Sequence, residues 1–567
     1  MTDAEKISVS GRRWLPAIFI LALVLRLIFL LEASKSPLLF FPGLDPQAYD
    51  QWAQRIVSSG WLGKEVFYQS PLYPYLLAAF YSLFGRRLVW VYVLQIVIGS
   101  IDCLVIYGIG RRLFGRRAGV LAGFFAAAYK PFIFYQSELL KAFLETFLID
   151  LTIYLLLLTA QNPKRRTSLA AGITLGLGAL ARDNFLALVL LFAPWLTYAL
   201  WTRRRAALAG YFLAGFSVVI GVCAARNLAA SRDLVLTTSQ GGQNFYLGNH
   251  RGNLTGTYSA PDFVRANPLF EEKDFRAEAL KRTGRMSMRS SEISEFWFRE
   301  TFKEIRSAPG LFGKRMALKL ALFWNQKEIA DNESIYLFKQ EFSLLLRLPL
   351  LEFGMIGPVG LLGLALALRR RKGFMLAGYL FIYWLSVSAF YVFSRYRLAA
   401  MGPLLVFAGF GVESVYFSVK SRAWKPLAGW AALLAGFFAL AWLPLIHETL
   451  DYAYFNLGNS YYRAGKYRQA AVSFEKAIRE NPGEAAFYIN LGKSKEYLGE
   501  NQSALNDFAR AVELAPDNAN ARLDLGVALY KTGNFAAAKI ELEKALKLDP
   551  GSKIARLYLQ MIEARQK

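Results

Sequence analysis

Eleven stretches of this 567-residue chain are apolar over about the roughly 20 residues that a helix needs to cross a hydrocarbon layer. They run 14–32, 88–110, 118–135, 139–160, 168–182, 184–202, 207–225, 343–368, 374–393, 398–418 and 424–446. A backbone in lipid has no water to satisfy its polar groups, so runs of this length fold as helices or not at all. The expected fold class is therefore all-α: a polytopic transmembrane helical bundle of about 11 spans over residues 1–446. The fifth run is short and ends on Arg182-Asp183, which reads as a half-helix or re-entrant segment. The first run starts at Trp14 with no small-residue cleavage pattern behind it, so it reads as a retained helix.

The formal charge of +25 would fit a nucleic-acid binder, but its distribution does not. Segments 1–13, 111–117, 161–167, 203–205, 369–372 and 420–425 hold 20 Lys and Arg against two acids, Asp3 and Glu5. Excess positive charge placed between apolar runs is the positive-inside signature of membrane topology, so no nucleic-acid partner is expected. With the N-terminus cytoplasmic, every one of these clusters falls on one side. Residues 33–87, 226–342 and everything after 446 then face the other side. Two cysteines, Cys103 and Cys223, lie inside apolar runs, and His250 and His447 are the only histidines. Neither a thiol metal site nor a disulfide framework is supported.

The external segments have features of their own. Residues 45–57 and 71–84 read as short amphipathic helices near the membrane surface. Within 226–342, the stretch 237–256 is turn-rich, and helices are expected at 291–307 and 309–324, separated at Pro309. The last 117 residues repeat. Gly458, Gly492 and Gly526 are 34 apart, and so are Gly465/Gly499/Gly533, Ala470/Ala504/Ala538, Ala477/Ala511/Ala545 and Pro482/Pro516/Pro550. That period, with small residues where paired helices touch, is the pattern of tetratricopeptide repeats. The expected domain at 451–567 is an α-solenoid of three repeats, 451–484, 485–518 and 519–552, with a capping helix. Asn456, Asn490 and Asp524 occupy one equivalent position on the first helix of each repeat, which lines the concave face. Polar groups there suit a protein partner.

Ionisable side chains next to a membrane are costly and are candidate functional groups by default. Asp45 and Asp50 follow the first run. Glu138 precedes the fourth, and Glu145 lies inside it, seven residues and about two turns on and on the same face. Arg182, Arg226, Arg395 and Arg397 stand at external run ends, against the topology rule. Acids and arginines together on that face point to an anionic, membrane-borne ligand. In the turn-rich stretch, Asn244, Tyr246 and Asn249 are candidates for sugar contact.

The order of these segments is familiar. LDPQAYDQWA, then GW, then SPLYPYLLAAFYSLFG resembles the first external loop of GT-C-fold glycosyltransferases. The group it resembles is family 39, the protein O-mannosyltransferases and the lipid A aminoarabinose transferase. The matching positions are Asp45, Tyr49, Pro71 and Pro74. QSELLKAFLETF resembles the second acidic loop of that family, with Glu138 in the acidic position. GLGALARDN, AARN, GGQNFYLGN and SRYRLAAMGPLLV resemble further family segments, so the likeness spans roughly 10–420. One position departs: many relatives carry Asp-Glu at the first site, and here it is Asp45-Pro46.

The resemblance implies an enzyme that moves a sugar from a polyprenyl-phosphate donor to an acceptor hydroxyl on the extracytoplasmic side. It implies Asp45 as the base and Arg182, Arg226, Arg395 and Arg397 as phosphate contacts. Glu138 and Glu145 would then be donor ligands. Some GT-C enzymes use a divalent cation (Mg or Mn) and others do not; where one is used, Glu138 is the implied ligand. The expected partners are the lipid-linked donor, membrane lipid and a protein held by the repeats. The expected location is a bacterial inner membrane. Two other functions fit such a chain: a transporter or flippase for lipid-linked sugars, and an oligosaccharide ligase or polymerase. The first calls for broken helices in repeated halves, which are not visible before residue 450. The second places its main loop late, whereas here the acidic loop follows the first run.

Overall fold

The computed structural model describes residues 13–202 and 204–566. The basic segment 1–13, Arg13 apart, and Arg203 of the RRR cluster lie outside the described residues. Among the described residues the regular elements are helices, joined by short 3-10 turns and one isolated bridge between Tyr129 and Leu351.

The chain forms two compact units. The first holds residues up to Glu32, then Leu44–Asp331 and Ser343–His447. The second holds Ala33–Gly43, Asn332–Phe342 and Glu448–Lys567.

The first unit begins with α1 (Trp14–Ala33), α2 (Leu44–Ser59), α3 (Leu72–Phe84), α4 (Leu88–Phe114), α5 (Arg116–Ala128) and the short α6 (Lys130–Tyr135). Then come α7 (Ala142–Gln161), α8 (Arg165–Ala181), α9 (Val189–Trp201) and α10 (Leu208–Ser231). The large loop contributes α11 (Gly241–Asn249), α12 (Pro268–Thr283), α13 (Ser290–Ser307), α14 (Pro309–Phe323) and α15 (Ile335–Glu341), the last belonging to the second unit. The apolar part closes with α16 (Phe353–Arg369), α17 (Phe374–Ala389), α18 (Ser394–Lys420) and α19 (Trp424–Ala441).

Each of the eleven apolar runs carries helix, but not equally. Among the described residues, seven helical segments are long and apolar enough to cross a membrane: α1, α4, α7, Asp183–Trp201, α10, α18 and α19. A count of eleven needs the four shorter helices α5, α8, α16 and α17 as well. The run 118–135 breaks at Tyr129, where Lys130 N–H donates to the Leu351 carbonyl at 2.9 Å and Leu351 N–H to the Ala128 carbonyl at 3.2 Å. The run 343–368 becomes helix only at Phe353, after Pro349.

Helix α18 is the most enclosed of the spans, and small residues let its neighbours close on it. A Cβ on Gly363 of α16 would overlap the Phe407 carbonyl, and one on Gly409 would overlap the Ala118 carbonyl of α5. The same holds between α8 and α10, where Gly172 and Gly215 lie against opposing carbonyls. Without a hydrophobic drive between helices in lipid, such close backbone approach supplies much of the association.

The turn expected at 237–256 is instead the nine-residue helix α11. Its glycines serve packing: side chains on Gly242 and Gly248 would run into the Ser294 and Phe390 carbonyls. The helices expected at 45–57, 71–84, 291–307 and 309–324 are α2, α3, α13 and α14.

In the second unit, helices α20 (Asp451–Arg463), α21 (Tyr467–Glu480), α22 (Ala485–Tyr497), α23 (Asn501–Leu514), α24 (Ala519–Lys531) and α25 (Phe535–Leu548) form three antiparallel pairs, and α26 (Lys553–Gln566) covers the end. Gly458, Gly492 and Gly526 each receive a large side chain, Phe474, Phe508 and Leu542. Gly465, Gly499 and Gly533 turn each pair in the left-handed region, at φ 72°, 80° and 85°. The other two pieces of this unit pack on the first repeat. The Phe41 carbonyl accepts from Ser460 Oγ at 2.7 Å and Arg463 Nη2 at 2.9 Å. Glu341 Oε1 accepts from the Tyr454 hydroxyl and Lys476 Nζ, both at 2.7 Å.

Candidate active site

Asp45 opens α2, and the residue before it is strained. Leu44 has φ +51°, a region that side chains with a Cβ rarely adopt. Strain of this kind persists where surrounding contacts over-determine it, and it gathers at functional sites. Here it aims Asp45 inward. Asp45 is 8% exposed, and its Oδ2 accepts from Arg395 Nη2 at 2.6 Å.

Arg395 sits in the first turn of α18, where a cation opposes the helix dipole. Two carboxylates compensate it. Besides Asp45, Asp331 places Oδ2 2.5 Å from the same Nη2. The remaining nitrogens of the guanidinium, Nε and Nη1, are buried and have no hydrogen-bond partner. Buried charged donors without partners are costly, and they are the property expected of a group that meets an anion.

Tyr396 links this arginine to a second one. Its ring lies 5.1 Å from the Arg395 guanidinium and 4.2 Å from that of Arg182. Arg182 ends α8 and donates from Nε to Glu145 Oε2 at 2.6 Å. Lys141 completes the cationic side. Its Nζ donates to Ser70 Oγ at 3.0 Å and the Ala181 carbonyl at 2.8 Å, and lies 3.6 Å from Glu145 Oε1.

Burial pushes the Asp331 carboxyl up to about 7, with Arg395 opposing and Asp45 adding to the rise. The Tyr49 hydroxyl, one turn after Asp45, is raised well above its usual value by burial and by Asp45. Its ring meets Tyr73 of α3 edge-on at 5.5 Å. Tyr73 in turn donates to Gln95 Oε1 at 2.6 Å.

The structure separates the other predicted residues from this cluster. Residues two apart on a helix point about 200° apart, so Arg395 and Arg397 cannot share a face. Arg397 faces inward, donating to the Phe323 and Asn325 carbonyls and to Glu328 at 2.8 Å, with Phe353 under it at 3.6 Å. Arg226 donates to the Leu62 and Glu65 carbonyls at 2.7 and 2.5 Å and lies over Phe67 at 3.8 Å, clamping the loop between α2 and α3. Asp50 is paired with Arg86 at 2.8 Å and accepts from the Tyr81 hydroxyl at 2.8 Å.

Glu138 lies on the turn before α7, its carbonyl accepting from Gln95 Nε2 at 2.6 Å. Among the described residues no three His, Cys, Asp or Glu side chains gather as a metal-holding group. Asn244, Tyr246 and Asn249 are engaged within their own layer. Asn244 Oδ1 accepts from the Tyr391 hydroxyl at 3.2 Å, the Tyr246 hydroxyl donates to Glu304 at 3.1 Å, and Asn249 Oδ1 accepts from Lys319 Nζ at 2.8 Å.

In the repeats, Asn456 Nδ2 donates to the Asn332 carbonyl at 3.4 Å, Asn490 Nδ2 to Asn459 Oδ1 at 2.7 Å, and Asp524 pairs with Lys493 at 2.9 Å.

Two parts of the chain match known families. Residues 68–226 match the family model of dolichyl-phosphate-mannose-protein mannosyltransferase. Residues 452–484 and 489–553 match tetratricopeptide-repeat models. Among solved structures, the first such domain of Spaghetti (RPAP3), bound to an HSP90 peptide, is 24% identical, with 20% of this chain and 92% of that one covered at a TM-score of 0.20. The Arabidopsis OM64 domain is 23% identical over 20% of this chain and 95% of its own, also at 0.20. MamA is 24% identical over 20% of this chain and 68% of its own, at the same score. The comparison with curated proteins gave no match. The family models mark a GT-C-type glycosyltransferase domain fused to tetratricopeptide repeats. Over the matched segments the chain is similar to GT-C-type glycosyltransferases, whose family model implies a lipid-linked sugar donor, and to tetratricopeptide repeats, which imply a protein partner; its apolar helices are those of a multi-pass membrane protein.

Proposed function

We propose that the chain transfers a sugar from a polyprenyl-phosphate donor to an acceptor hydroxyl on the extracytoplasmic face of a bacterial inner membrane. In this reading the N-terminus is cytoplasmic and the repeats are extracytoplasmic, recruiting the acceptor or an assembly partner. The observation that carries the proposal is Arg395: buried, bound to Asp45 through one nitrogen, and holding two more without partners.

The acceptor oxygen forms a bond to the anomeric carbon as the bond from that carbon to the phosphate oxygen breaks. The acceptor proton passes to Asp45, acting as general base. The bonding pair leaves with the phosphate oxygen, where Arg395 meets the growing charge through charge-assisted hydrogen bonds. Arg182, fixed by Glu145 and stacked on Tyr396, lies next to it and supplies a second cation. Lys141 adds a third. Attack from the side opposite the phosphate inverts the anomeric centre.

Purified protein is tested with radiolabelled polyprenyl-phosphate sugars, wild type beside Asp45→Asn. Turnover is expected to fall by about 10²–10⁴ in the variant, the usual contribution of a positioned base, with donor still bound. Donor binding without turnover in wild type, across several sugars and acceptors, would instead describe a carrier of lipid-linked sugars.

A further inference from the structure

The chemistry above gives no task to Asp331. It lies in the segment between α14 and α15, more than 280 residues after Asp45, yet it meets the same nitrogen of Arg395. The segment is held along the start of α18 by contacts that do not involve Arg395. Ser394 N–H donates to the Ile329 carbonyl at 3.1 Å, and Arg397 binds both Glu328 and the Asn325 carbonyl. Asp331 is thus delivered by a fixed piece of backbone.

A guanidinium carries five N–H donors, two of them on Nη2. A lone carboxylate prefers to take an arginine at two points, using two neighbouring nitrogens at once. Held in that way by Asp45, Arg395 would lose a second nitrogen and would neutralise the base. Nη2 donates to Asp45 Oδ2 and, at 3.3 Å, to the Tyr396 hydroxyl, while Asp331 Oδ2 lies 2.5 Å from it as an ion pair, so each carboxylate meets the guanidinium at that one nitrogen. The donors left over are those on Nε and Nη1, buried and unpartnered.

Resting on the function proposed above, we propose that Asp331 is a positioning residue for the donor phosphate. By sharing Nη2 of Arg395 it keeps Asp45 from closing on the guanidinium, and so reserves Nε and Nη1 for phosphate oxygens. It acts through Arg395 and touches no reacting atom.

The test measures binding of polyprenyl monophosphate and of the matching polyprenyl alcohol to the full chain in detergent micelles. The variants are Asp331→Asn, Arg395→Lys, the double variant and Asp331→Glu. Wild type is expected to prefer the phosphate. Asp331→Asn loses that preference about tenfold, Arg395→Lys loses at least as much, and the double variant is no worse than Arg395→Lys, because both changes remove one interaction. Wild-type preference in Asp331→Asn, or losses that add in the double variant, overturns the proposal. Should Asp331→Asn fail to fold, Asp331→Glu carries the test, since it keeps the charge. A preference within threefold of wild type supports the proposal, and a loss as large as that of Arg395→Lys overturns it. A wild type indifferent to the phosphate would remove the donor-binding reading itself. A phosphate preference unaffected by Asp331→Asn, beside an inactive Asp45→Asn, would remove only this inference.

Discussion

The site in the first unit and the repeats of the second are held together in opposite ways. Each repeat helix leans on its neighbours in sequence: Gly458 receives Phe474, Gly492 receives Phe508, and Gly526 receives Leu542, always sixteen residues on. The site joins Asp45, Lys141, Arg182, Asp331 and Arg395, which come from five separate stretches of chain. The repeats are stabilised by apolar packing, with ion pairs that range from exposed, as Arg510–Glu513, to largely buried, as Lys495–Asp507 and Arg522–Glu541. The site buries ionic groups, which cost stability unless every partner stays in place. Local order is robust and carries little chemistry; long-range order is fragile and concentrates charge where a reaction can use it.

The sharpest way to break this contrast is to remove one partner in the site. Arg182→Ala leaves Glu145 buried without its arginine. Breaking a buried pair usually costs about 3–5 kcal/mol of stability, and Lys141, 3.6 Å from Glu145, is expected to offset part of that. Thermal unfolding of the purified chain and sugar turnover should both drop. A stable, active variant would show that Glu145 and Arg182 are not an obligatory pair.

The matching change in the repeats is Gly492→Val. Its Cβ would lie 2.7 Å from the Phe508 ring, and overpacking of this kind costs about 1–3 kcal/mol. The expected result is weaker binding of whatever the repeats recruit, with sugar release to a small soluble acceptor retained. Loss of that release as well would mean that the two units are not energetically separate.

The smallest expected effect depends on pH. Glu271 lies in the first turn of α12, accepting from the Tyr68 hydroxyl at 2.9 Å and the Tyr258 hydroxyl at 3.3 Å. Burial holds its carboxyl at about 7, against the lowering effect of the Tyr68 hydrogen bond and with the help of Asp45. A carboxyl raised in the folded state keeps its proton better there than in the unfolded chain. Its contribution to stability is therefore complete below the ordinary carboxyl range and is lost as pH rises through 7. Glu271→Gln should be more stable than wild type at pH 8, and the gap should shrink at pH 5. An equal gap at both values in thermal unfolding would contradict the raised carboxyl.

What could be read in the sequence follows the same division. The repeats were legible because their contacts recur at a fixed 34-residue spacing. Apolar runs and basic clusters revealed a membrane bundle because both are local statistics. The helix breaks at Tyr129 and before Phe353 were less legible, since a pairing between distant segments makes the first and only the proline marked the second. Asp45, Glu145, Arg182 and Arg395 stood out as charges at the ends of apolar runs. Arg397 and Arg226 stood out for the same reason, yet their guanidinium groups bind backbone carbonyls. Helical phase separates Arg397 from Arg395, and that argument was open to the sequence. Asp331 carried no signal beyond its place in an acidic stretch, KEIADNE, because what makes it matter is an arginine 64 residues away. Lys141 and Tyr396 lay inside quoted motifs but became notable only once Arg182 was seen beside them.

The second unit is assembled from three pieces that leave the ribosome far apart in time. Ala33–Gly43 is made early, while Glu448, where the repeats begin, follows about 400 residues later. At roughly 5–20 residues per second, the early piece waits on the order of 20–80 s for the helix that binds the Phe41 carbonyl. Asn332–Phe342 waits a shorter time for Tyr454 and Lys476. Assembly of this unit therefore waits for the repeats to be made, and the chain must keep two short segments clear of other partners until then.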